Sequence, residues 1–465
     1  MIEDATALAA RLARGEISAL AATEASLARI AALDPQLNAF ITVDAEGARR
    51  AARALDAARA AGRPAGPLHG LPVAIKDVTA TRGLRTTQGS ALFADHVPAE
   101  DALSVARLRA AGAVIIGKTN TPEFAFGAVC TNRLCGPTRN PWDPERTSGG
   151  SSGGSAVAVA TGMVALAQGT DFGGSVRMPA SFCGIVGLRP APGTIPEPDR
   201  ALGWGALATQ GVLARSIRDA RLMLAAMAGP DPRDPLSTRM PAAEPLPARP
   251  PRIAASPDLG GAFPVDAEVL EAFAAARRSL ETVLGPTAAD APPLDGAIDA
   301  FKTLRAAESW ARSGGLVEAH ADALTPSFVW NVRQGREISA EAYLRAEMTR
   351  TRAWRAFMSF FSRHDMLVMP ACAVLPFPNA REEVLEVGGR RLGSIIDYLA
   401  CTFLISLVGL PALSIPAPRG SGALPFGLQL VVPPGREALL WLVAERLERH
   451  GFHWTLPPIA PSRPE

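Results

Sequence analysis

Between Thr147 and Ser155 the chain reads TSGGSSGGS, passes through an apolar run, and reaches a second glycine turn at Gly169-Thr170-Asp171-Phe172-Gly173-Gly174-Ser175-Val176-Arg177. A flexible linker has no use for a helix-length apolar spacer between its glycine turns, because such a run must be buried and burial fixes both of its ends. The pattern therefore asks for a fold that holds two serine-bearing loops against one core. Taken alone, the Gly/Ser run also fits a flexible loop or a phosphate cradle. It lacks the G-K-[ST] ending of the cradle, and G-x-G-x-x-G is absent from the stretch.

The spacer AVAVATGMVALAQG is apolar on every face, which predicts a helix buried on all sides with its N-terminal amides aimed into the Gly/Ser loop. Upstream, the turn Gly66-Pro67-Leu68-His69-Gly70 leads into the strand-like LPVAIKDV, residues 99–111 have helical spacing, and Ala113-Val114-Ile115-Ile116-Gly117 is a second strand. Strand, helix, strand in that order suggests a βαβ unit in a parallel or mixed sheet covered by helices. Residues 4–60 read as helices, with an N-cap at Ser18 and a break at Asp34-Pro35.

The Pro-rich stretch 229–252 reads as a surface crossover, 253–284 as a strand followed by an amphipathic helix, and 297–365 as helices carrying Trp310, Trp330 and Trp354. Strand-like runs return at Met366–Pro370, Leu413–Pro416 and Gly427–Val432. A sheet begun before residue 120 and resumed after 365 argues for one domain over 1–465, with no internal repeat. The fold class expected is α/β: a single large domain with a mixed central sheet flanked by helices on both faces.

A formal net charge of +2 over 465 residues leaves no basic field, and no Lys/Arg cluster is interleaved with aromatics, so nucleic acid is not expected as a ligand. The N-terminal segment has no apolar h-region and no window reaches 18 uncharged apolar residues, so the expectation is a cytoplasmic protein that engages no membrane. Neither the five cysteines (Cys130, Cys135, Cys183, Cys372, Cys401) nor the six histidines form a zinc pattern; reduced thiols and no metal are expected.

Lysine usage points to chemistry. Of 47 Lys plus Arg, the lysines are Lys76, Lys118 and Lys302 alone. A lysine kept in an arginine-rich background marks a place that needs a compact amine able to lose its proton. Lys76 ends the strand-like LPVAI, where burial would lower its pKa and make it a base. Serine is a weak nucleophile until a base takes its proton, and none of the histidines stands out as that base. Ser151 sits in a formal G-x-S-x-G, but in a run of Gly and Ser that match is automatic, and no apolar strand leads into it. Lys76, Ser151 and Ser175 form the working set, with Ser151 relaying a proton. Gly173 and Gly174 allow a turn whose amides converge as an oxyanion hole. Thr170 donates a hydrogen bond within this loop, and Asp171 pairs with Arg177 to hold it.

At these residues the chain resembles the amidase signature family. The run GGSSGGS followed by GTDFGGSVRMPASFCGIVGLRP is similar to the family's hallmark segment, and GPLHGLPVAIKDV, GKTNTPEFAFG, NPWDPERTSGGSSGGS, GLPALSIP and PFGLQLV follow the family order. The resemblance runs to about Arg449. It implies Ser175 as the acylated nucleophile, Ser151 as the bridging serine after a cis peptide bond, Lys76 as base, and an oxyanion hole from the amides of Phe172, Gly173, Gly174 and Ser175. It implies no metal or organic cofactor, and dimers are common in the family. Regions expected under it are N-terminal helices at 1–60, the signature core at 66–228, a crossover at 229–252, a helical substrate side at 297–365 and a return to the sheet at 366–449.

The expected activity is hydrolysis of a small-molecule amide, apolar or aryl, with ester or carbamate (a urethanase activity) as variants. Phe301, Trp310, Phe328 and Trp330 are the expected pocket wall. Two departures from the family, Ala191–Pro196 after GLRP and Ser406-Leu407-Val408 before GLPA, are expected to line the acyl or leaving-group side. The rival readings are the ammonia-releasing subunit of a tRNA-dependent amidotransferase and an inactive binding protein.

Overall fold

The structure, a computed structural model, describes residues 2–63, 66–237, 244–246, 249–381, 383–420 and 422–459. The strands in chain order are β1 Phe40–Val43, β2 Pro72–Lys76, β3 Val114–Thr119, β4 Leu166–Asp171, β5 Val186–Arg189, β6 Thr209–Ala214, β7 Ile253–Ala255, β8 Met366–Pro370, β9 Glu386–Val387, β10 Arg390–Arg391, β11 Ala412–Pro416 and β12 Gly427–Val431. Apart from the small β9–β10 pair they form one ten-stranded sheet in the order β1-β3-β2-β4-β6-β5-β11-β12-β8-β7. β2 runs parallel to β3 and β4, and β7 to β8, while β4–β6, β6–β5, β5–β11, β11–β12 and β12–β8 are antiparallel, so the sheet is mixed. All residues of β2, β3, β5, β6, β8, β11 and β12 are buried, which requires cover on both faces. Helices supply that cover in a large single-domain α/β fold.

The β5–β11 pairing, with Ala412 opposite Arg189, joins strands more than two hundred positions apart into one core. It also fixes the site. β2 and β4 lie side by side and place their C-terminal residues, Lys76 and Asp171, at the same edge of the sheet. The helix Arg177–Cys183 packs across β5, β11 and β12, directly behind the Gly173-Gly174-Ser175 turn.

Three local expectations are corrected. The helix Ala19–Leu37 runs through Pro35 instead of breaking at Asp34. A proline in the last turn leaves little ladder to disrupt, and the Asp34 carboxylate takes the amides of Ala39 and Phe40 beyond the helix end. The region 4–60 also contains β1, which pairs antiparallel with β3. The spacer after Ser155 is not one helix: the helix Gly153–Ala160 ends at Thr161 and Gly162 (φ 71°), and Leu166–Asp171 is β4. A fully buried helix and a fully buried strand carry the same unbroken apolar pattern, so periodicity could not divide them. The Pro-rich stretch is described at 229–237, 244–246 and 249–252; its remaining residues lie outside the described ones.

Candidate active site

The Lys76 side chain is fully buried at the end of β2. Its Nζ lies 2.6 Å from Ser151 Oγ, 2.9 Å from Ser152 Oγ and 2.9 Å from Thr170 Oγ1. Burial pushes the amine down to about 7, against the opposing pull of Cys130 and Asp171. Three hydroxyls suit an amine that gains and loses a proton. An ammonium donates to all three; a neutral amine donates to two and accepts from the third. Thr170 is thus an acceptor for Lys76, where the sequence placed it as a donor inside the glycine turn.

The Gly/Ser loop reaches the lysine through a cis peptide bond between Gly150 and Ser151. Ser152, which the sequence reasoning passed over, both contacts Lys76 and donates its backbone N–H to the Ser175 carbonyl at 3.1 Å, tying the two serine loops together. The SS doublet within SGGSSGGS was the available signal. Ser151, Thr170, Phe172, Gly173 and Ser175 line one cavity of about 1380 Å³. Among the described residues the Ser151 and Ser175 hydroxyls are not hydrogen-bonded to each other; the shared cavity, the Ser152 amide and the common lysine network bring them together.

The glycine turn is organised by Asp171. Its carboxylate receives Arg177 Nη2 at 2.8 Å and Nε at 3.0 Å, Arg189 Nη1 at 3.3 Å, and the amides of Gly174 at 2.9 Å and Val176 at 3.2 Å. All three ionic side chains are fully buried. Burial alone would favour the neutral acid, but Arg177 and Arg189 outweigh it and hold the carboxyl well below the ordinary range. The Asp171–Arg177 pair is as read from the sequence; Arg189, in the GLRP segment, is an addition.

The same contacts correct one candidate. The Gly174 N–H is committed to Asp171 and does not face the cavity, which leaves the amides of Phe172, Gly173 and Ser175 as the donors without an acceptor among the described residues. Gly174 is required for another reason: at φ 125° a Cβ would stand 2.2 Å from Thr402 Oγ1. Asp171→Asn, by leaving two buried guanidiniums short of a counter-charge, is expected to lower stability by about 3–5 kcal/mol in urea titration. A loss below about 1 kcal/mol would contradict the account of this loop.

Arg177 also donates to the Thr402 carbonyl, Gln429 Oε1 and Ser406 Oγ at 2.9, 2.6 and 2.7 Å. Ser406, one of the family departures, therefore lies behind the Gly173-Gly174-Ser175 turn. Neither it nor the Ala191–Pro196 segment lines the cavity, contrary to expectation. Of the expected pocket wall, Phe301 and Trp330 line the cavity, whereas Phe328 and Trp310 belong to a separate apolar cluster beneath it. Phe403, from the distant helix Ala400–Leu407, stacks on Phe301 with ring centroids 4.3 Å apart and was missed.

The other lysines separate cleanly. Lys118 is also buried and pushed down to about 7 by burial, but it bonds the Thr79 carbonyl, Thr81 Oγ1 and Thr86 Oγ1, away from the serines. Lys302 pairs with Asp397 at 2.7 Å. The cysteines are all unbridged. Among the described residues no cluster of His, Cys, Asp and Glu is arranged to hold a metal, and no helix is long and apolar enough to cross a membrane.

The site thus comprises a buried lysine, its hydroxyl partners and a glycine turn with amides that are free among the described residues. The family model described as Amidase matches residues 21–441, and the chain belongs to the amidase signature family. It is 37% identical over 480 residues to the A-subunit of a glutamyl-tRNA(Gln) amidotransferase from Roseiflexus sp. (strain RS-1), covering 96% of each chain. Among solved structures it resembles a bacterial aryl acylamidase of the same family, with TM-score 0.88, 28% identity and coverage of 97% of this chain and 96% of that one. It is similar to the same degree to a chain from a vestigial protein complex bearing on the origins of an s-triazine catabolic enzyme, with TM-score 0.87, 31% identity and coverage of 97% and 99%.

Proposed function

We propose that this protein breaks a carboxamide C–N bond through an ester formed on Ser175. The observation that carries the proposal is the lysine held at 2.6 Å from Ser151 Oγ in a fully buried network and pushed down to about 7 by burial. At neutral pH a substantial share of such an amine is unprotonated and free to accept a proton. Ser175 Oγ attacks the amide carbon while its proton passes by way of Ser151 to Lys76. The amides of Phe172, Gly173 and Ser175 receive the charge that develops on the carbonyl oxygen. The proton returns to the departing nitrogen as the C–N bond breaks, and water then attacks the Ser175 ester by the same relay. Esters and carbamates offer the same carbonyl. An inactive binding protein would have no use for Ser151 and Ser175 lining one cavity with Lys76 within hydrogen-bond reach of Ser151.

The setting of this reaction has two readings. The sequence relatives favour the ammonia-releasing subunit of an amidotransferase, working with protein partners, since the match to such subunits spans 96% of the chain. The cavity supports a free-standing cytoplasmic hydrolase of apolar or aryl amides, because Phe172, Phe301 and Phe403 wall the nucleophile with aromatic surface. The isolated chain decides between them. Release of ammonia or aniline from simple amides and anilides without any partner would establish the hydrolase; release only on adding a partner complex would establish the amidotransferase role.

The pH dependence follows in sign from burial of the amine. Lys76 works as a base only when neutral, so kcat/KM is expected to fall about tenfold per pH unit below about 7 and to level off above it. A profile flat from pH 5 to 9 would contradict the assignment.

A further inference from the structure

Among the described residues three arginines line the cavity: Arg133, exposed and donating to the Ala323 carbonyl at 3.3 Å, Arg312, exposed with the field of Glu308 beside it, and Arg305, which alone of the three is buried. Arg305 lies on the helix Ala297–His320, which presents Phe301, Arg305, Ser309 and Ser313 to the cavity at successive four-residue steps along one face. Phe301 touches the nucleophile loop: its ring centroid is 6.1 Å from that of Phe172, and its Cζ lies 3.3 Å from where a Cβ on Gly173 would stand. Arg305 follows one turn later, about 6 Å further along the helix axis. Its exposure is only 9%.

Other buried arginines are committed: Arg177 and Arg189 to Asp171, and Arg215 to the carbonyls of Val159, Val164 and Glu3. Arg305 makes no hydrogen bond or ion pair through its guanidinium among the described residues, and its Nε is enclosed without an acceptor. Its neighbours are the Phe126 ring, 5.5 Å from Cζ, and the field of Asp397. Asp397 does not answer it, since its oxygens are taken by Lys302 at 2.7 Å and the Gly393 amide at 3.1 Å. The carboxylates that line the cavity are engaged or open to water. Glu123 holds Ser90 and Thr325, Glu197 holds Arg200 and Gln210, and Glu383 is exposed. Burial lowers Arg305 only to about 10, so it remains a cation at neutral pH.

We infer that Arg305 is the specificity-determining group of this site and receives an ionised carboxylate on the substrate, distinct from the carbonyl that Ser175 attacks. A planar guanidinium with free N–H donors matches a carboxylate in two parallel bonds, and a desolvated cation gains most from such a partner. The substrate class is a carboxamide that is apolar beside the scissile carbonyl, where Phe172, Phe301 and Phe403 stand, and anionic one helical turn further out. The inference rests on the amidase reading of the same site.

The test uses matched pairs that differ only in the carboxylate: succinamate against butanamide, glutaramate against pentanamide, and a 4-carboxyanilide against the plain anilide. The wild-type chain is expected to favour the carboxylate member of at least one pair by about 100-fold in kcat/KM. Arg305→Gln should erase that preference, with the carboxylate member losing about 100-fold more than its neutral partner, and Arg305→Lys, which keeps the charge but loses the fork, should retain part of it. The rate at which a fluorophosphonate labels Ser175 reports an intact site in each variant. Normal wild-type labelling with no preference in any pair, or equal losses on both members in Arg305→Gln, would overturn the role of Arg305 and leave the amidase reading standing. No labelling of the wild-type chain would overturn both.

Discussion

Ser175→Ala is expected to lower amide hydrolysis by at least about 10,000-fold, the residue of activity coming from a cavity that still binds substrate and polarises its carbonyl. The substitution removes the oxygen on which the proposed ester forms and little else. Ser175 is half-buried, and its hydroxyl makes no hydrogen bond among the described residues, so the turn held by Asp171 should persist without it. Stability in urea should therefore be close to wild type, and substrate binding measured at equilibrium should be nearly unchanged. Single-turnover kinetics with wild type and variant separate the steps. A variant within tenfold of the wild-type rate would show that water is activated directly and that no ester on Ser175 is needed.

Lys76→Arg is the second large effect, expected at about 1000-fold or more, and it is the more discriminating of the two because charge is retained. Arginine keeps its proton under any condition the enzyme meets, so the relay through Ser151 has nowhere to end. The position adds a steric objection, since Lys76 has no exposed surface and three hydroxyls close around its Nζ. Lys76→Ala should cost a similar factor and should also remove the fall in rate below pH 7 in whatever activity remains. If Lys76→Arg retained near-native activity with an unchanged pH profile, the lysine would be structural and the base would have to be sought elsewhere.

The grouping of the candidate site residues was legible in the sequence because it depends on residue types that stand out locally. Lys76 ends an apolar strand in a chain that otherwise uses arginine, and Ser151 and Ser175 sit in glycine turns. The mixed sheet was legible for a similar reason: β2, β3, β8, β11 and β12 are short apolar runs bounded by turn residues. What was not legible depends on contacts between distant parts of the chain. Phe403 and Thr402 reach the nucleophile loop from over two hundred residues away, and no local pattern marks them. That Gly174 directs its amide to Asp171 instead of the cavity is a matter of dihedral angles in a turn that any Gly-Gly sequence permits. Arg305 was hidden among the many arginines of this chain. Its distinction is burial in the cavity wall without a partner among the described residues, which sequence does not display.

Scarcity of lysine does not by itself identify the base. Lys118 is buried like Lys76 and is shifted in the same direction by the same cause, yet its partners are a carbonyl and two threonines. Scarcity located buried amines; the hydroxyl of a cavity-lining serine within hydrogen-bond reach is what separates the two.

Intact-protein mass after incubation with a fluorophosphonate, followed by peptide mapping, tests the central claim most directly. The serine oxygen displaces fluoride from phosphorus, so an activated nucleophile is recorded as a single mass increase. The account predicts one adduct on wild type, mapped to Ser175, absent from Ser175→Ala and strongly slowed in Lys76→Arg. An adduct on another residue, or none on a chain shown to be folded, would contradict it.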